Sequence, residues 1–184
     1  MTTQEIEGIL VDGEVTVRSQ DDANLLFQSG YGTRSENHEV HLSRCETLYL
    51  VAEKRLRIID CKDLAELSFR SLLAQFKSVD SEIWRRYLIF RDLRSRGYVV
   101  KEGLGWGVDF RVYERGKYHT KAAKYVVFAL CEGDPIQATK LRVILRSVQS
   151  VKKKMIVAVL DRRSEIVYYA LSQLNLQPRS KPSE

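Results

Sequence analysis

The spacing of apolar residues in the first part of the chain predicts a small domain that contains both strands and helices. Two apolar runs flank Asp12-Gly13, a residue pair typical of a tight β-hairpin turn. Ser43 and Glu46 have the spacing of a capping box, in which each side chain satisfies a free amide at a helix start. The predicted elements are a hairpin (6–11 and 15–18), a helix (21–28, before Gly30), a loop (31–40), a helix from Ser43, a strand (56–60) and a helix (64–76).

The second part of the chain has a stronger pattern of helices and buried strands. Trp84, Tyr87 and Leu88 share one face of a predicted helix, which Gly97 ends. Asp134-Pro135 is a favourable start for another helix. The predicted elements are a helix (81–96), strands (98–101, 108–113 and 124–130), a helix (134–147) and strands (155–160 and 166–171).

This order of elements predicts an α/β (α+β) fold with two domains. Residues 1–80 form a small N-terminal mixed α/β domain. Residues 81–177 form a C-terminal domain in which helices flank a mixed sheet. Residues 178–184 are polar and contain a proline, so we expect a disordered tail.

Composition and charge permit an anionic partner. The chain has 184 residues with 30 Lys and Arg against 24 Asp and Glu, which gives a formal net charge of +6 and a pI near 9.2. The three cysteines form no Cys-x-x-Cys pair, so we expect buried reduced thiols and no zinc site. No signal peptide or membrane-spanning run is predicted, so we expect a cytoplasmic protein without a membrane partner.

Three motifs in the second part together resemble a known family. They are Gly-Leu-x-x-Gly-x-Asp-Phe-x-Val-Tyr ending at Tyr113, a His before an apolar strand, and Ser-Val-Lys-Lys ending at Lys153. With residues 93–101, they are similar to the archaeal tRNA-splicing endonucleases, most densely over 87–169. The resemblance implies a C-terminal domain of the restriction-endonuclease-like class.

Cleavage of RNA by its own 2′-OH requires a base, an acid for the departing 5′-oxygen, and a cation against the charged phosphorane. Tyr113, His119 and Lys153 are the right residue types for these tasks. The resemblance implies that Tyr113 is the base, His119 the acid and Lys153 the stabilising cation, with no metal or other cofactor. The implied substrate is precursor tRNA with a bulge–helix–bulge at the intron junctions, cut to 2′,3′-cyclic phosphate and 5′-OH ends.

The residue that supplies the acid has alternatives. The segment between His119 and the apolar strand is about three residues longer than the family pattern. Lys117, Lys121 or Lys124 are therefore alternatives to His119. The cation lies in a run of three lysines, and the motif selects Lys153, with Lys152 in the place of the family's arginine.

The resemblance also implies RNA contacts and assembly. Arg146, with Tyr168 on the other face, is expected to stack on a flipped-out base, and Lys152 is expected to contact RNA. Glu132 and Asp134 form a candidate acidic loop that inserts into a neighbouring subunit, although Asp134 is also explained as a helix cap. The last predicted strand, 166–171, is expected to pair across a subunit interface. The implied assembly is a homodimer, a homotetramer or a heterotetramer with a second endonuclease subunit.

Two other functions compete with a catalytic endonuclease subunit. One is a non-catalytic structural subunit of the same assembly, which the long segment after His119 favours. The other is a metal-dependent DNA nuclease in which Asp109 and an acidic partner hold Mg²⁺.

Overall fold

The structure, a computed structural model, describes residues 5–103, 105 and 107–173. The predicted tail, 178–184, lies outside the described residues. The described helices are α1 (Gln20–Gln28), α2 (Arg44–Ala52), α3 (Phe69–Val79), α4 (Ile83–Ser95) and α5 (Ala138–Ser150). The described strands are β1 (Ile6–Val11), β2 (Glu14–Val17), β3 (Thr33–Arg34), β4 (Val40–Leu42), β5 (Leu56–Asp60), β6 (Glu66–Leu67), β7 (Val99–Glu102), β8 (Phe110–Tyr113), β9 (Tyr125–Cys131), β10 (Lys154–Leu160) and β11 (Ile166–Leu171).

The strands form two mixed sheets, one in each half of the chain. The first has the order β3-β4-β2-β1-β5-β6, and the second has the order β11-β10-β9-β8-β7. Only β1 with β5 and β9 with β10 are parallel among the described pairs. The predicted fold class, two mixed α/β units, is confirmed.

Local sequence signals produce several of these elements as predicted. Asp12 and Gly13 both have positive φ, 49° and 83°, as the tight turn between β1 and β2 requires. Ser43 and Glu46 form the capping box at the start of α2. Gly97, at φ 84°, ends α4, and the amide of Tyr98 then donates to the carbonyl of Leu93.

Three predictions about the elements are wrong. The loop predicted over 31–40 contains β3 and the start of β4. The helix predicted from residue 64 begins at Phe69, because β6 pairs with β5 and Ser68 caps α3. The helix predicted from Asp134 begins at Ala138. Trp84 and Tyr87 share a face of α4 as predicted, with ring centroids 5.6 Å apart, and Trp84 is 42% exposed.

The three cysteines are free thiols, but only Cys45 is buried. Cys61 is exposed and Cys131 is half-buried, so the predicted burial is wrong for these two residues. None of the described helices is long and apolar enough to cross a bilayer.

One hydrophobic core continues from the first half into the second. It contains Leu48 and Leu72 from α2 and α3, Phe90 from α4, and Phe110 and Val127 from the second sheet. A smaller cluster lies on the other face of that sheet, where Ile144, Leu145 and Val148 of α5 pack on β9 and β10. The second sheet therefore has α4 on one face and α5 on the other.

Candidate active site

Three neighbouring strands of the second sheet, β8, β9 and β10, bring Tyr113 and Lys153 to the same end of the sheet, where β8 ends and β10 begins. Val112 of β8 pairs with Tyr125 of β9, and Tyr125 pairs with Lys154 of β10. Tyr113 comes one residue after Val112, and Lys153 comes one residue before Lys154. Because β8 runs antiparallel to β9 and β10 runs parallel to it, the two residues stand at the same level of the sheet. Because β8 and β10 flank a single strand, their backbones are about 10 Å apart.

Strand alternation places the two side chains on the same face. Val112 is buried on the α4 face, so Tyr113 projects to the α5 face. Lys153 is two residues before Met155 and therefore projects to the same face, and Met155 packs in the cluster beneath α5. Two side chains from separate strands can therefore approach one phosphate.

The amine of Lys153 is held by backbone and carries an uncompensated charge. Its Nζ donates to the carbonyl of Ala123 at 2.8 Å, in the segment that precedes β9. It forms no ion pair with any carboxylate among the described residues. A half-buried ammonium in this position can stabilise developing negative charge.

The phenol of Tyr113 packs against a second tyrosine that the sequence analysis did not identify. The rings of Tyr113 and Tyr118 meet edge to face, 4.9 Å between centroids. Tyr118 also contacts the imidazole of His119 at 4.6 Å, and the Lys101 ammonium lies 5.4 Å from its ring. Burial raises the pKa of Tyr118, and neighbouring Tyr113 adds to the shift.

His119 is exposed and lies against the N-terminal half of the chain. Its Nε2 is 3.4 Å from the carbonyl of Gln28, and its ring is 5.6 Å from the ring of Phe27 at the end of α1. Tyr118 lies between His119 and Tyr113. The structure thus places the three predicted catalytic residues in one region, with no hydrogen bond between any two of them.

One of the alternative acids is bound to a carboxylate. Lys124 forms an ion pair with Glu114, and this hydrogen bond raises the pKa of Lys124 and lowers the pKa of Glu114. A lysine with a raised pKa releases its proton less readily, which disfavours Lys124 as the acid. Lys117 and Lys121 are exposed in the same loop and form no ion pair among the described residues.

Lys101 joins the two halves of the chain beneath this loop. Its buried ammonium donates to the Glu46 carboxylate at 2.9 Å and to the Gly32 carbonyl at 2.6 Å. Burial lowers the pKa of Lys101, and Glu46 opposes that shift. No local sequence signal marks Lys101, because its partners are 55 and 69 residues away.

The two residues of the predicted stacking pair, Arg146 and Tyr168, lie on opposite faces of the second sheet, so the pair stays a prediction. Arg146 lies on the exposed side of α5 and forms no ion pair among the described residues. Tyr168 lies on the opposite face of the sheet, where its hydroxyl donates to Asp92 at 2.7 Å and Arg96 covers its ring. Burial and this hydrogen bond raise the pKa of Tyr168, in keeping with a structural role.

Asp134 is not the predicted helix cap. Gln137 precedes α5 and provides no side-chain cap. The Asp134 carboxylate instead accepts hydrogen bonds from Arg85 of α4 at 3.1 Å and from the amide of Cys131 at 2.8 Å. Glu132 is half-exposed and accepts from the amide of Arg162 at 3.3 Å.

Asp109 is committed to internal contacts rather than to a metal site. Its carboxylate accepts from the amide of Ala129 at 2.7 Å and lies 3.5 Å from the Arg86 guanidinium. Burial raises the pKa of Asp109. Within the described part of the chain, no group of three His, Cys, Asp or Glu side chains is placed to hold a metal ion.

Comparisons with known proteins match both halves of the chain. Residues 6–73 match the profile described as "tRNA intron endonuclease, N-terminal domain", and residues 83–168 match "tRNA intron endonuclease, catalytic C-terminal domain". The fold and the site therefore define a two-domain protein with a nuclease-type catalytic domain. The chain belongs to the tRNA intron endonuclease family.

Relatives of this family cover nearly the whole chain. The tRNA-splicing endonuclease of Methanococcus vannielii is 35% identical over 167 residues, which are 91% of this chain and 93% of the relative. That of Methanothermobacter thermautotrophicus is 35% identical over 89% of this chain and 95% of its own. That of Pyrococcus abyssi is 31% identical over 80% and 84%. The resemblance found in the sequence is confirmed.

Proposed function

We propose that this chain is a catalytic subunit that cuts precursor tRNA at bulge–helix–bulge intron junctions without a metal ion. The observation that carries the proposal is that Tyr113 and Lys153 project from the same face at the same end of the second sheet. The loop with His119 lies beside the same end of the sheet. A phenol, an ammonium and an imidazole can together supply the base, the cation and the acid.

The reaction is a transesterification within the RNA. The 2′-oxygen attacks the phosphorus, and Tyr113 removes its proton as the new P–O bond forms. The bond to the 5′-oxygen breaks, and His119 gives this oxygen a proton. The products are a 2′,3′-cyclic phosphate and a 5′-OH.

Lys153 has two tasks in this scheme. Its ammonium offsets the extra negative charge of the phosphorane, and a nearby cation also favours the phenolate form that a tyrosine base requires. RNA would replace the Ala123 carbonyl as the partner of Nζ. His119 would likewise leave the Gln28 carbonyl to reach the 5′-oxygen.

Assembly is part of the proposal. β11 is an edge strand of the second sheet, and its residues Val167 and Tyr169 are 46% and 56% exposed. Pairing of two such edges would give a dimer, and the Glu132–Asp134 loop would make a second contact towards a tetramer. A second endonuclease subunit is an alternative partner to a second copy.

A non-catalytic structural subunit is the second candidate. The observation that favours it is that the side chains of Lys153 and His119 each contact a backbone carbonyl of the same chain. Cleavage by this chain alone separates the two functions, because a structural subunit has no activity without its partner.

The test uses the purified chain, a bulge–helix–bulge RNA and excess EDTA under single-turnover conditions. We expect cleavage at both junctions, with cyclic-phosphate and 5′-OH ends. Lys153→Ala should lower the rate about 100- to 1000-fold with little change in RNA affinity. His119→Ala should lower it about 100-fold.

Arg163→Ala is the matched control, because Arg163 is exposed on the β10–β11 turn and forms no side-chain contact among the described residues. An unchanged rate in His119→Ala would reject the acid assignment and direct attention to Lys117 and Lys121. Activity that disappears in EDTA would reject the metal-independent scheme.

A further inference from the structure

The positive charge of this chain is concentrated in one segment. Residues 135–160 contain no Asp or Glu. Their six cationic residues are Lys140, Arg142, Arg146, Lys152, Lys153 and Lys154. Their number equals the formal net charge of +6, so the rest of the chain is balanced between acids and bases. The segment consists of the three residues before α5, α5 itself, the turn after it and β10.

The helix presents two of these cations on its solvent side. Ile144, Leu145 and Val148 bury the other side of α5 against the sheet. Arg142 and Arg146 are both exposed. Because they are four residues apart, they lie on one face of the helix, separated by about 6 Å along its axis.

These cations are not neutralised by acidic side chains of the fold. Among the described residues, none of the six forms an ion pair, whereas Arg57, Arg85, Arg86 and Arg96 each bind a carboxylate. Lys140 lies 6.0 Å from the ring of Phe128, and Lys153 donates to Ala123. Arg142 and Arg146 have no described partner. Unneutralised arginines on one helix face fit a polyanion.

We propose that Arg142 is a phosphate-binding residue. Together with Arg146 and Lys152, which are already expected to contact RNA, it forms a surface on α5 and the following turn that binds the phosphate backbone of the RNA. The proposal rests on the proposed function, because it assigns the path of the same substrate. The surface leads along the helix to the turn that carries Lys153. Contacts of this kind add affinity that depends on salt and not on base sequence.

Arg142 is the informative residue, because it is a full turn farther from Lys153 than Arg146. A phosphate bound there is distant from the scissile bond, so Arg142 should affect binding and not the chemical step. A residue that acted on the transition state would show the opposite behaviour.

The experiment compares Arg142→Gln with Arg163→Gln, an exposed arginine outside the segment. Binding of a bulge–helix–bulge RNA with 2′-deoxy junctions, which cannot be cleaved, is measured by fluorescence anisotropy at several salt concentrations. We expect Arg142→Gln to lower affinity about three- to tenfold near 0.1 M salt. The slope of log affinity against log salt should become shallower by somewhat less than one. The cleavage rate at saturating cleavable RNA should not change.

Arg163→Gln should match the unaltered chain in both measurements. Equal affinity and slope for Arg142→Gln and the unaltered chain would overturn the proposal. So would unchanged binding with a change in oligomeric mass, because α5 would then receive an acidic loop of another copy.

Failure of this proposal is separable from failure of the proposed function. RNA that binds with the expected salt dependence but is not cut would reject only the catalytic role. An unaltered chain that does not bind the RNA at all would reject the binding surface as well.

Discussion

Tyr118 connects the two residues that are proposed to move protons. Its ring contacts Tyr113 on one side and His119 on the other, and the buried Lys101 ammonium lies near it. Burial raises the pKa of Tyr118, so its hydroxyl stays protonated near pH 7, and the contacts with Tyr113 and His119 are made by the ring. Tyr118 is therefore a positioning residue for the loop.

We predict that Tyr118→Leu lowers the single-turnover cleavage rate at least tenfold while RNA affinity stays within twofold. Tyr118→Phe keeps the ring contacts, and its rate should stay within about threefold of the unaltered chain. Rapid-quench kinetics at saturating RNA measures both variants. Equal rates for Tyr118→Leu and Tyr118→Phe would show that the ring does not position the site.

Tyr168 shows why single residues are hard to assign from sequence. The residue lies in a strand, and alternation fixes its face only when the neighbouring positions show which face is buried. In β11 both faces are partly exposed, so the pattern did not reveal that Tyr168 projects towards Asp92 of α4.

At the scale of elements, the end of α5 combines strain with charge. The helix closes with hydrogen bonds from the amides of Lys152 and Lys153 to the carbonyls of Gln149 and Val148. Lys152 adopts φ 55°, a left-handed conformation that glycine adopts without strain. A lysine at this position costs about 1 kcal/mol of folding free energy.

We predict that Lys152→Gly raises the free energy of unfolding by about 0.5–1 kcal/mol, measured by urea denaturation. The same variant should bind RNA less tightly, because a cation of the α5 surface is lost. Lys152→Ala is the control, since it removes the charge but keeps the strained side chain. Lower stability in Lys152→Gly than in Lys152→Ala would contradict the account.

Elements with strong local signals were predicted well from the sequence. The Asp12-Gly13 turn, the capping box of α2 and the apolar strands β9 and β10 depend on residues adjacent in the chain. By contrast, β3 and β6 have two residues each and exist because longer strands pair with them. The start of α5 was mispredicted because Arg85, from a distant helix, takes the Asp134 carboxylate.

At the scale of the whole molecule, the two halves share one core and one buried ion pair. The closest contact between Lys101 and Glu46 is 2.9 Å, and both side chains are at least 90% buried. Glu46 also accepts from the amides of Gly32 and Ser43. The predicted domain boundary near residue 80 stays a prediction, because one hydrophobic core contains residues from both sides of it.

We predict that Lys101→Met lowers the free energy of unfolding by about 3 kcal/mol or more, because it leaves the Glu46 carboxylate buried and unpaired. Adding Glu46→Gln removes that charge and should restore part of the loss, as measured by urea denaturation. A double variant whose loss equals the sum of the single losses would indicate that the pair is not coupled.

A second prediction at this scale concerns the exposed edge. Val167→Lys places a charge on the edge strand β11 and should shift the chain to a smaller species in light scattering after size exclusion. Arg163→Lys, on the neighbouring turn, should leave the mass unchanged. If the unaltered chain is already a monomer under these conditions, β11 is not a self-association surface.

The residue types of the site were predictable from the sequence. Their position at one end of the second sheet was predictable as well, because the strand order brings β8, β9 and β10 together. The contact of His119 with Phe27 and Gln28 was not predictable. It joins residues about 90 positions apart, and only the folded chain places the end of α1 beside that loop.

The uneven distribution of charge also affects events before contact. A molecule whose excess charge of +6 belongs to one segment and whose remainder is neutral has a large electric dipole. In the field of a nucleic acid, such a molecule rotates until α5 leads, so a greater share of collisions begins in the productive orientation. Added salt should therefore slow association before it alters the chemistry.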